Sequence, residues 1–312
     1  MSNHSIPKFQ ERRKVGIVGF GHIGQYIYRE LKNNDYGLDV AFVWNRSVDK
    51  LSGLQENEIL HDLNQFFERN VDLIIEVAHI SITEQFGAKF LSKCDFMVGS
   101  PTALANKDLE AQLYSAANNN GLYVPAGAFW GAEDIQKMAS QGSLKALKVT
   151  MKKHPSSLKL NGELAEMVKN MSGETLELYD GPVRDLCPLA PSNVNTMACA
   201  AIAASNLGFD KVQGCLVADK RLACHIIEID VVGPSNNNGD CFTVRTVRTN
   251  PSQSGAVTGN ETYASFLQSV KKKKLKNRHV ICPVGSNSWC NWKKGNSSGN
   301  CWCSESNVSP QS

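Results

Sequence analysis

The fold of this 312-residue chain is decided by one stretch, Lys14-Val15-Gly16-Ile17-Val18-Gly19-Phe20-Gly21-His22-Ile23-Gly24. A β-rich apolar run leads straight into a G-x-G-x-x-G turn, and a helical pattern at 25–31 follows it. A strand, a glycine-rich turn and a helix in this order are typical of a dinucleotide-binding βα unit. We therefore expect a nicotinamide dinucleotide to bind at this turn.

Each glycine of the motif has a physical task. Gly19 permits the tight turn, Gly21 lets the backbone approach a pyrophosphate, and Gly24 lets the helix pack closely on the strand. The first helical N–H groups and the positive end of the helix dipole then favour the phosphates. The predicted cofactor-binding residues of the turn are Gly19, Gly21, His22, Ile23 and Gly24.

Further apolar strands follow the motif and alternate with helical patterns. They lie at 38–44, 71–78, 95–100 and 121–126. Apolar strands that alternate with helices indicate parallel pairing, with both faces of the sheet buried. The fold class is therefore α/β, with a Rossmann-type doubly wound parallel sheet over 14–135.

From about residue 143 the pattern changes to strands of period two. Such strands occur at 144–151, 224–231 and 241–246, with an Ala-rich helix predicted over 196–207. Alternation of this kind favours an α+β domain with one sheet face exposed. A last helix is predicted over 258–272, with Thr258 as its N-cap and Glu261 three residues later.

These patterns divide the chain into five parts. The predicted parts are an N-terminal lead (1–13), the NAD(P)-binding domain (14–135), an α+β substrate and dimerisation domain (136–255), a helix that packs back on the first domain (256–274) and a disordered or atypical tail (275–312).

Charge and hydropathy exclude several classes of protein. The net charge of +3 is unevenly distributed along the chain. The segment 271–312 is basic, with eight of the 33 Lys and Arg residues and one of the 30 Asp and Glu residues. The remainder is mildly acidic, which argues against a nucleic-acid partner. No apolar run is long enough to cross a bilayer, and the first residues lack the apolar core of a secretory signal. We therefore expect a cytoplasmic protein without a membrane partner.

The tail is rich in cysteine, with Cys282, Cys290, Cys301 and Cys303. Their spacing matches no paired C-x-x-C zinc site, so no metal is expected. The other six cysteines are expected to be reduced and mostly buried.

The end of the second strand reads Trp44-Asn45-Arg46-Ser47 and carries no acid. An NAD-preferring site usually has Asp or Glu there to hold the ribose hydroxyl. Arg46, beside Asn45, could instead hold a 2′-phosphate, since a guanidinium binds phosphate oxygens in bidentate fashion. NADP is therefore slightly favoured over NAD. The alternative, that Arg46 is only a solvated loop residue, stays open.

Two polar residues of the second half stand out. His225 opens an alternating strand, and Asn195 follows a proline-containing loop at the start of a helix. By spacing alone, a histidine at position 225 is more often structural than catalytic, and Asn195 fits a helix N-cap.

Several motifs together resemble one family. They are Gly19–Gly24, Gly127-Ala128, Asn193-Val194-Asn195-Thr196-Met197-Ala198, Val217-Ala218-Asp219, and His225 after them. In this order they resemble the L-aspartate dehydrogenases over about 14–270. The animal branch of that family is also indicated by Val43-Trp44-Asn45-Arg46, Glu76-Val77-Ala78-His79 and Gly127–Asp134.

The resemblance implies an activity and site residues. Family members oxidise L-aspartate with NAD or NADP to iminosuccinate, which hydrolyses to oxaloacetate and ammonia and in prokaryotes can feed NAD biosynthesis. It places the active-site histidine at His225 and cofactor contacts at Ala78, Ala128 and Asn195, and it implies a homodimer, for which the exposed face of the second sheet is available.

The residue types fit this chemistry. An ammonium must lose a proton before hydride can leave, and a histidine that titrates near neutrality is a suitable general base. The two carboxylates of the substrate need cations, for which Arg184 and His154 are candidates; surface ion pairs are the alternative for both.

Two other functions stay open. One is a catalytically weak NADP-binding sensor or scaffold. The other is a dehydrogenase of a different small amino or hydroxy acid.

Overall fold

Two β-sheets organise the structure, one in each half of the chain. The computed structural model describes residues 12–252, 255–259 and 261–271, together with the backbone of Pro283–Val284. The strands of the first sheet are all parallel and stand in the order β2-β1-β3-β4-β5-β11. They span Arg13–Val18 (β1), Leu38–Trp44 (β2), Leu73–Glu76 (β3), Asp95–Val98 (β4), Leu122–Pro125 (β5) and Pro283–Val284 (β11).

Helices cover the first sheet on both faces, as the apolar strands predicted. They span His22–Asn33 (α1), Ile80–Lys93 (α2), Lys107–Ala116 (α3) and Ala132–Ser140 (α4). Every residue of β3 and β4 is buried. From β1 the chain passes outward to β2 and then crosses to β3 on the other side of β1, so the order in which strands are added to the sheet reverses between β1 and β3. In such sheets, ligands bind beyond the carboxyl ends of the strands at this reversal.

The second sheet is mixed, in the order β10-β9-β6-β8-β7. Its central strand β6 pairs parallel with β8 and antiparallel with β9. The strands span Ala146–Lys153 (β6), Thr175–Pro182 (β7), Gln213–Asp219 (β8), Cys224–Ser235 (β9) and Cys241–Pro251 (β10). The helices here span Gly162–Lys169 (α5), Val183–Leu186 (α6), Asn195–Ala203 (α7), Gly208–Lys211 (α8) and Glu261–Lys271 (α9). The fold class is the predicted α/β arrangement with a second, α+β half.

Helix α7 joins the two halves in one core. It packs against α4 and against the short 3-10 helix Pro101–Ala105 of the first half. Seven of its nine residues are buried. Small side chains, mostly alanine, allow this close approach, because little volume separates the helix backbone from its neighbours.

Two helix boundaries differ from the prediction. Helix α7 ends at Ala203 rather than near residue 207, and the next turn is held by Asn206, whose side chain donates to the Leu144 carbonyl. Helix α9 begins at Glu261, so Thr258 is not its N-cap. Residues 255–259 instead form a loop, in which the Gly259 carbonyl accepts from the Thr262 N–H.

The chain returns to the first sheet through α9. Phe266, Leu267 and Val270 are buried in a cluster with Val15 and Ile17 of β1. The rings of Tyr26 and Tyr263 meet at 5.7 Å between centroids, which ties α9 to α1. Within the described residues, no helix is long and apolar enough to span a membrane.

The N-terminal lead up to residue 11 and most of the tail lie outside the described residues. The predictions for the tail, including those for its four cysteines, therefore have no structural test. The backbone of Pro283–Val284 pairs with Val124 and Pro125 of β5.

Candidate active site

A cavity of about 80 Å³ lies between the two sheets, at the carboxyl ends of the strands of the first sheet. The first half contributes the loops after β4 and β5, and the second half contributes β6, α7, β9 and β10. The polar or titratable side chains that line the cavity are Lys153, Ser192, Asn193, Asn195, Thr196, Cys199, His225, Asn250, Thr258 and Thr262. Of the cofactor residues that the sequence predicted, Ile23, Ala128 and Asn195 line it.

The glycine-rich turn has the shape that a pyrophosphate requires. Gly19 has φ +109°, and a Cβ there would lie 2.7 Å from the Val77 carbonyl carbon. A Cβ on Gly24 would collide with the Gly19 carbonyl oxygen, whereas one on Gly21 would have no atom within 4 Å. The N-terminus of α1 carries no side-chain cap. Its N–H groups and the open space at Gly21 therefore fit an anionic group.

A second, more open cleft adjoins the turn. It is lined by Phe20, Gly21, His22, Gln25, Lys50 and Lys159. Lysines from both halves of the chain thus flank the N-terminus of α1, where positive charge favours phosphate.

Asn45 and Arg46, which follow β2, have different surroundings. Asn45 accepts from the Phe20 N–H at 3.0 Å and donates to the Ser47 carbonyl at 2.9 Å, so it fixes the turn. Arg46 is exposed, and no ion pair joins it to any carboxylate in the described part of the chain. Its guanidinium is therefore available to a phosphate.

A buried carboxylate holds the loops after β3 and β4. Glu76 accepts from the Ala78 N–H at 2.7 Å and from the Ser100 N–H at 2.9 Å. Burial raises the pKa of Glu76 to about 7, against the opposing effect of these hydrogen bonds. Ala78 is exposed at the sheet edge, and its position there depends on Glu76.

His225 is the buried histidine of the cavity. It is 3% exposed, and its Nε2 has no hydrogen-bond partner within the described part of the chain. The ring bonds the backbone of Ala256, and because Nε2 is unpartnered, Nδ1 makes this bond. A proton on Nδ1 leaves the Nε2 lone pair free to accept a hydrogen bond.

The electrostatics of the cavity keep His225 neutral. Burial and the charge of Lys153 lower the pKa of His225 to about 4, despite the opposing effect of the Ala256 hydrogen bond. The prediction of a histidine that titrates near neutrality is therefore wrong for the free site. The consequence is that Nε2 is available as a proton acceptor throughout the neutral range.

Lys153 is the cation of the cavity. Its Nζ donates to the carbonyls of Val257 at 3.1 Å and Asn193 at 3.3 Å. The side chain is buried, and burial lowers the pKa of Lys153 to about 8. Among the described residues its partners are both neutral carbonyls, so a carboxylate in the cavity would meet an uncompensated positive charge.

Asn193 and Asn195 belong to the loop that opens α7. Asn193 accepts from the Lys159 N–H at 2.7 Å and donates to the Ser157 carbonyl at 2.9 Å. Asn195 is the first residue of α7 and not its N-cap, a position that Val194 occupies. The Asn195 carboxamide meets the Thr102 hydroxyl at 3.4 Å and faces the cavity.

The two predicted carboxylate contacts, His154 and Arg184, lie outside this cavity, and both side chains have other partners. The His154 ring contacts the Ser156 hydroxyl at 2.7 Å and caps a short 3-10 helix outside the cavity. The Arg184 guanidinium pairs with Asp210 at 2.6 Å and also donates to the Ala105 carbonyl. Neither residue lines the cavity, and Lys153, next to His154, takes the position of the cation.

Three site residues were not predicted from the sequence. Lys153 follows Leu147, Val149 and Met151 at intervals of two, so strand alternation would have placed it on the buried face. Glu76 is an acid at the end of the otherwise apolar strand β3, which is a visible signal. The position of Asn250 depends on strand pairing, for which the sequence has no local signal.

Comparisons with known proteins agree on one family. Residues 134–269 match the family model described as aspartate dehydrogenase, C-terminal, and residues 19–125 match the NAD-binding domain of homoserine dehydrogenase. The second of these family models describes an NAD-binding domain. A solved aspartate dehydrogenase from Thermotoga maritima has a TM-score of 0.59 at 18% identity, over 83% of this chain and 93% of that one.

Curated relatives cover most of the chain. An aspartate dehydrogenase domain-containing protein of Danio rerio is 51% identical over 82% of this chain and 93% of its own length. One of Xenopus tropicalis is 48% identical over 84% and 94%. An L-aspartate dehydrogenase of Methanococcoides burtonii is 28% identical over 83% and 96%. With its cavity and its glycine-rich turn, the chain belongs to the aspartate dehydrogenase family, together with the animal aspartate dehydrogenase domain-containing proteins.

Proposed function

We propose that this protein oxidises L-aspartate, with NADP or NAD as acceptor, to iminosuccinate, which hydrolyses to oxaloacetate and ammonia. One observation carries the proposal. Two residues line the same small cavity beyond the strand ends of the cofactor-binding half. They are buried His225, whose Nε2 has no partner among the described residues, and Lys153 with its ammonium group. A proton acceptor and a cation, side by side, fit a substrate that carries an ammonium and carboxylates.

The cofactor would be held by residues of the first half. Gly19, Gly21 and Gly24 shape the turn, and the α1 N-terminus, with His22 and Ile23, would receive the phosphates. Arg46 would reach a 2′-phosphate, and Ala128 and Asn195 line the cavity where the reacting ring belongs. When bound, the nicotinamide accepts hydride from the substrate Cα.

His225 would act as the general base. The substrate ammonium passes one proton to Nε2, and the nitrogen lone pair then forms the C=N bond as hydride leaves Cα. A pKa of about 4 in the free site makes His225 a weak base. The substrate carboxylates would raise the pKa of His225 by adding negative charge beside it. Once it has released that proton to solvent, the same Nε2 can take a proton from the water that attacks the imine.

Lys153 would bind a substrate carboxylate. Its pKa of about 8 lies below that of an exposed lysine because the site is dry, and an arriving carboxylate favours the charged form. With Lys153 charged and His225 neutral, the two cavity groups have separate roles as carboxylate ligand and base.

The test is a substrate screen on the purified full chain. NAD or NADP is supplied with each common L-amino acid at alkaline pH, and the absorbance of the reduced cofactor is followed. Signal with aspartate alone would support the proposal. Measurable NADP binding with no oxidation of any amino acid would contradict it and favour a sensor or scaffold.

We further propose that the protein forms a homodimer through the second sheet. The edge strand β10 exposes Phe242 and Val247, with 53% and 59% of their surfaces accessible. An unpaired strand edge with apolar side chains is an unusual surface for a lone copy. Val247→Lys should shift the mass measured by light scattering from two copies to one, while an unchanged mass would place the interface elsewhere.

A further inference from the structure

The cavity contains a second buried polar atom that has no partner. Asn250 is 2% exposed, and its Oδ1 has no hydrogen-bond partner anywhere in the described ranges. Buried side-chain oxygens are nearly always hydrogen-bonded, and an orphan one calls for an explanation. Asn250 lines the same cavity as His225.

Strand pairing places these two residues face to face. Asn250 on β10 is the register partner of His225 on the antiparallel neighbour β9. Directly opposed residues share one face of the sheet, with Cβ atoms about 5 Å apart. The unpartnered Nε2 of His225 and the unpartnered Oδ1 of Asn250 therefore belong to one small region of the cavity.

The loop before α9 holds the Asn250 side chain in place. A Cβ on Gly259 would lie 2.9 Å from Oδ1 and would collide with the amide nitrogen. Glycine at 259 thus allows the backbone to pack directly on the carboxamide. The same loop supplies Ala256 to the His225 ring and the Val257 carbonyl to Lys153.

Both orphan atoms are acceptors, which defines the missing ligand group. His225 Nε2, with the proton on Nδ1, and Asn250 Oδ1 each require a donor. A primary amine or ammonium carries at least two N–H groups and can satisfy both at once. A hydroxyl carries one O–H and leaves one buried acceptor without a partner, a state that costs binding free energy.

We propose that Asn250 binds the α-amino group of the substrate and thereby selects amino acids over the corresponding hydroxy acids. This inference rests on the proposed function and names a further substrate-binding residue for it. When the ammonium gives one proton to His225, the neutral amine keeps an N–H on Asn250 Oδ1. The nitrogen stays fixed while its lone pair forms the C=N bond.

Binding to the full chain saturated with NADPH tests the inference, because no oxidation can occur in that complex. L-Aspartate and succinate are titrated by calorimetry; succinate has both carboxylates and no amino group. Asn250→Leu should weaken aspartate about 10- to 100-fold, the loss of one hydrogen bond to a charged group. Succinate affinity should stay within about twofold, because its contacts do not involve Asn250.

Two further variants complete the design. Asn250→Asp keeps an acceptor oxygen and should retain aspartate binding, whereas Thr249→Val, on the exposed neighbouring residue, should change neither ligand. If Asn250→Leu does not fold, Asn250→Ala takes its place. Equal weakening of aspartate and succinate, or unchanged aspartate affinity, would overturn the inference alone. A wild-type protein that binds neither ligand would overturn the proposed function, and the inference with it.

Discussion

Lys153 and His225 line one buried cavity, and the charge of the lysine is a cause of the lowered pKa of the histidine. The protonation of His225 therefore depends on Lys153. Lys153→Met should raise the pKa of His225, since it removes a neighbouring positive charge. The acidic limb of the kcat/KM profile should move to higher pH, and kcat/KM for aspartate should fall about 100-fold.

Lys152 provides a matched control for this variant. It precedes Lys153 on the same strand, but its Nζ pairs with Glu228 at 2.5 Å and it does not line the cavity. Lys152→Met should leave the pH profile in place. Identical profiles for Lys153→Met and the wild type would refute the electrostatic coupling.

Removal of the His225 ring should lower the rate of aspartate oxidation without weakening cofactor binding. His225→Ala should lower kcat by about 10²–10⁴, the usual contribution of a general base. The Kd for NADP, measured by fluorescence, should change little. His154→Ala is the matched control, because that ring binds Ser156 outside the cavity. An effect of less than about threefold on kcat would exclude His225 as the base.

Acid should destabilise the fold through His225. Its folded pKa of about 4 lies below the ordinary value of 6.5, so the unfolded chain binds the proton first as the pH falls. The free energy of unfolding should drop by up to about 3 kcal/mol between these two pH values, and His225 should contribute nothing above them. His225→Gln should show a smaller drop in urea titrations at pH 7 and pH 4.5. Equal drops in both proteins would contradict the assigned pKa.

Arg46 should distinguish the two cofactors. Arg46→Ala should weaken NADP by about tenfold or more, the loss of charged hydrogen bonds to the 2′-phosphate, and should leave NAD nearly unchanged. Kd values for both cofactors, measured on one preparation, check this. A similar loss for NAD and NADP would show that Arg46 does not bind the 2′-phosphate.

Two glycines of the turn should respond differently to the same substitution. Gly24→Ala forces a methyl group into the Gly19 carbonyl and should cost about 1–3 kcal/mol of stability. Gly21→Ala meets no atom within 4 Å, so its Tm should be unchanged while its Kd for NADP rises. A fall in Tm for Gly21→Ala, with normal NADP affinity, would argue against a phosphate at this position.

The first half of the fold was predictable because its signals are local. Apolar strands such as Leu73–Glu76 are buried on both faces, and the glycine motif lies within one βα unit. His225 and Asn195 were reached through resemblance, and both do line the cavity. The strands and the turn were thus predicted from short stretches of sequence, whereas these two residues needed a resemblance that spans about 14–270.

The features that the sequence did not predict depend on contacts between residues far apart in the chain. Arg184 was predicted to bind a substrate carboxylate, and its ion pair with Asp210, 26 positions away, has no local signal. The pairing of Asn250 with His225 depends on the register of β9 and β10, and the loss of basicity of His225 depends on Lys153 and on burial. The alternation of buried residues along β6 would have indicated Lys153, rather than its neighbour His154, as the cation on the buried face. The prediction did not use this alternation.

The loop 255–259 has a consequence for when the cavity is completed during synthesis. Ala256 contacts the His225 ring, Val257 accepts from Lys153, and Gly259 packs on Asn250. All three residues are translated after the strands of both sheets, apart from β11. A nascent chain that ends at Pro251 thus lacks the contacts that hold three side chains of the cavity, and the cavity is complete only after residues 255–259 have been added.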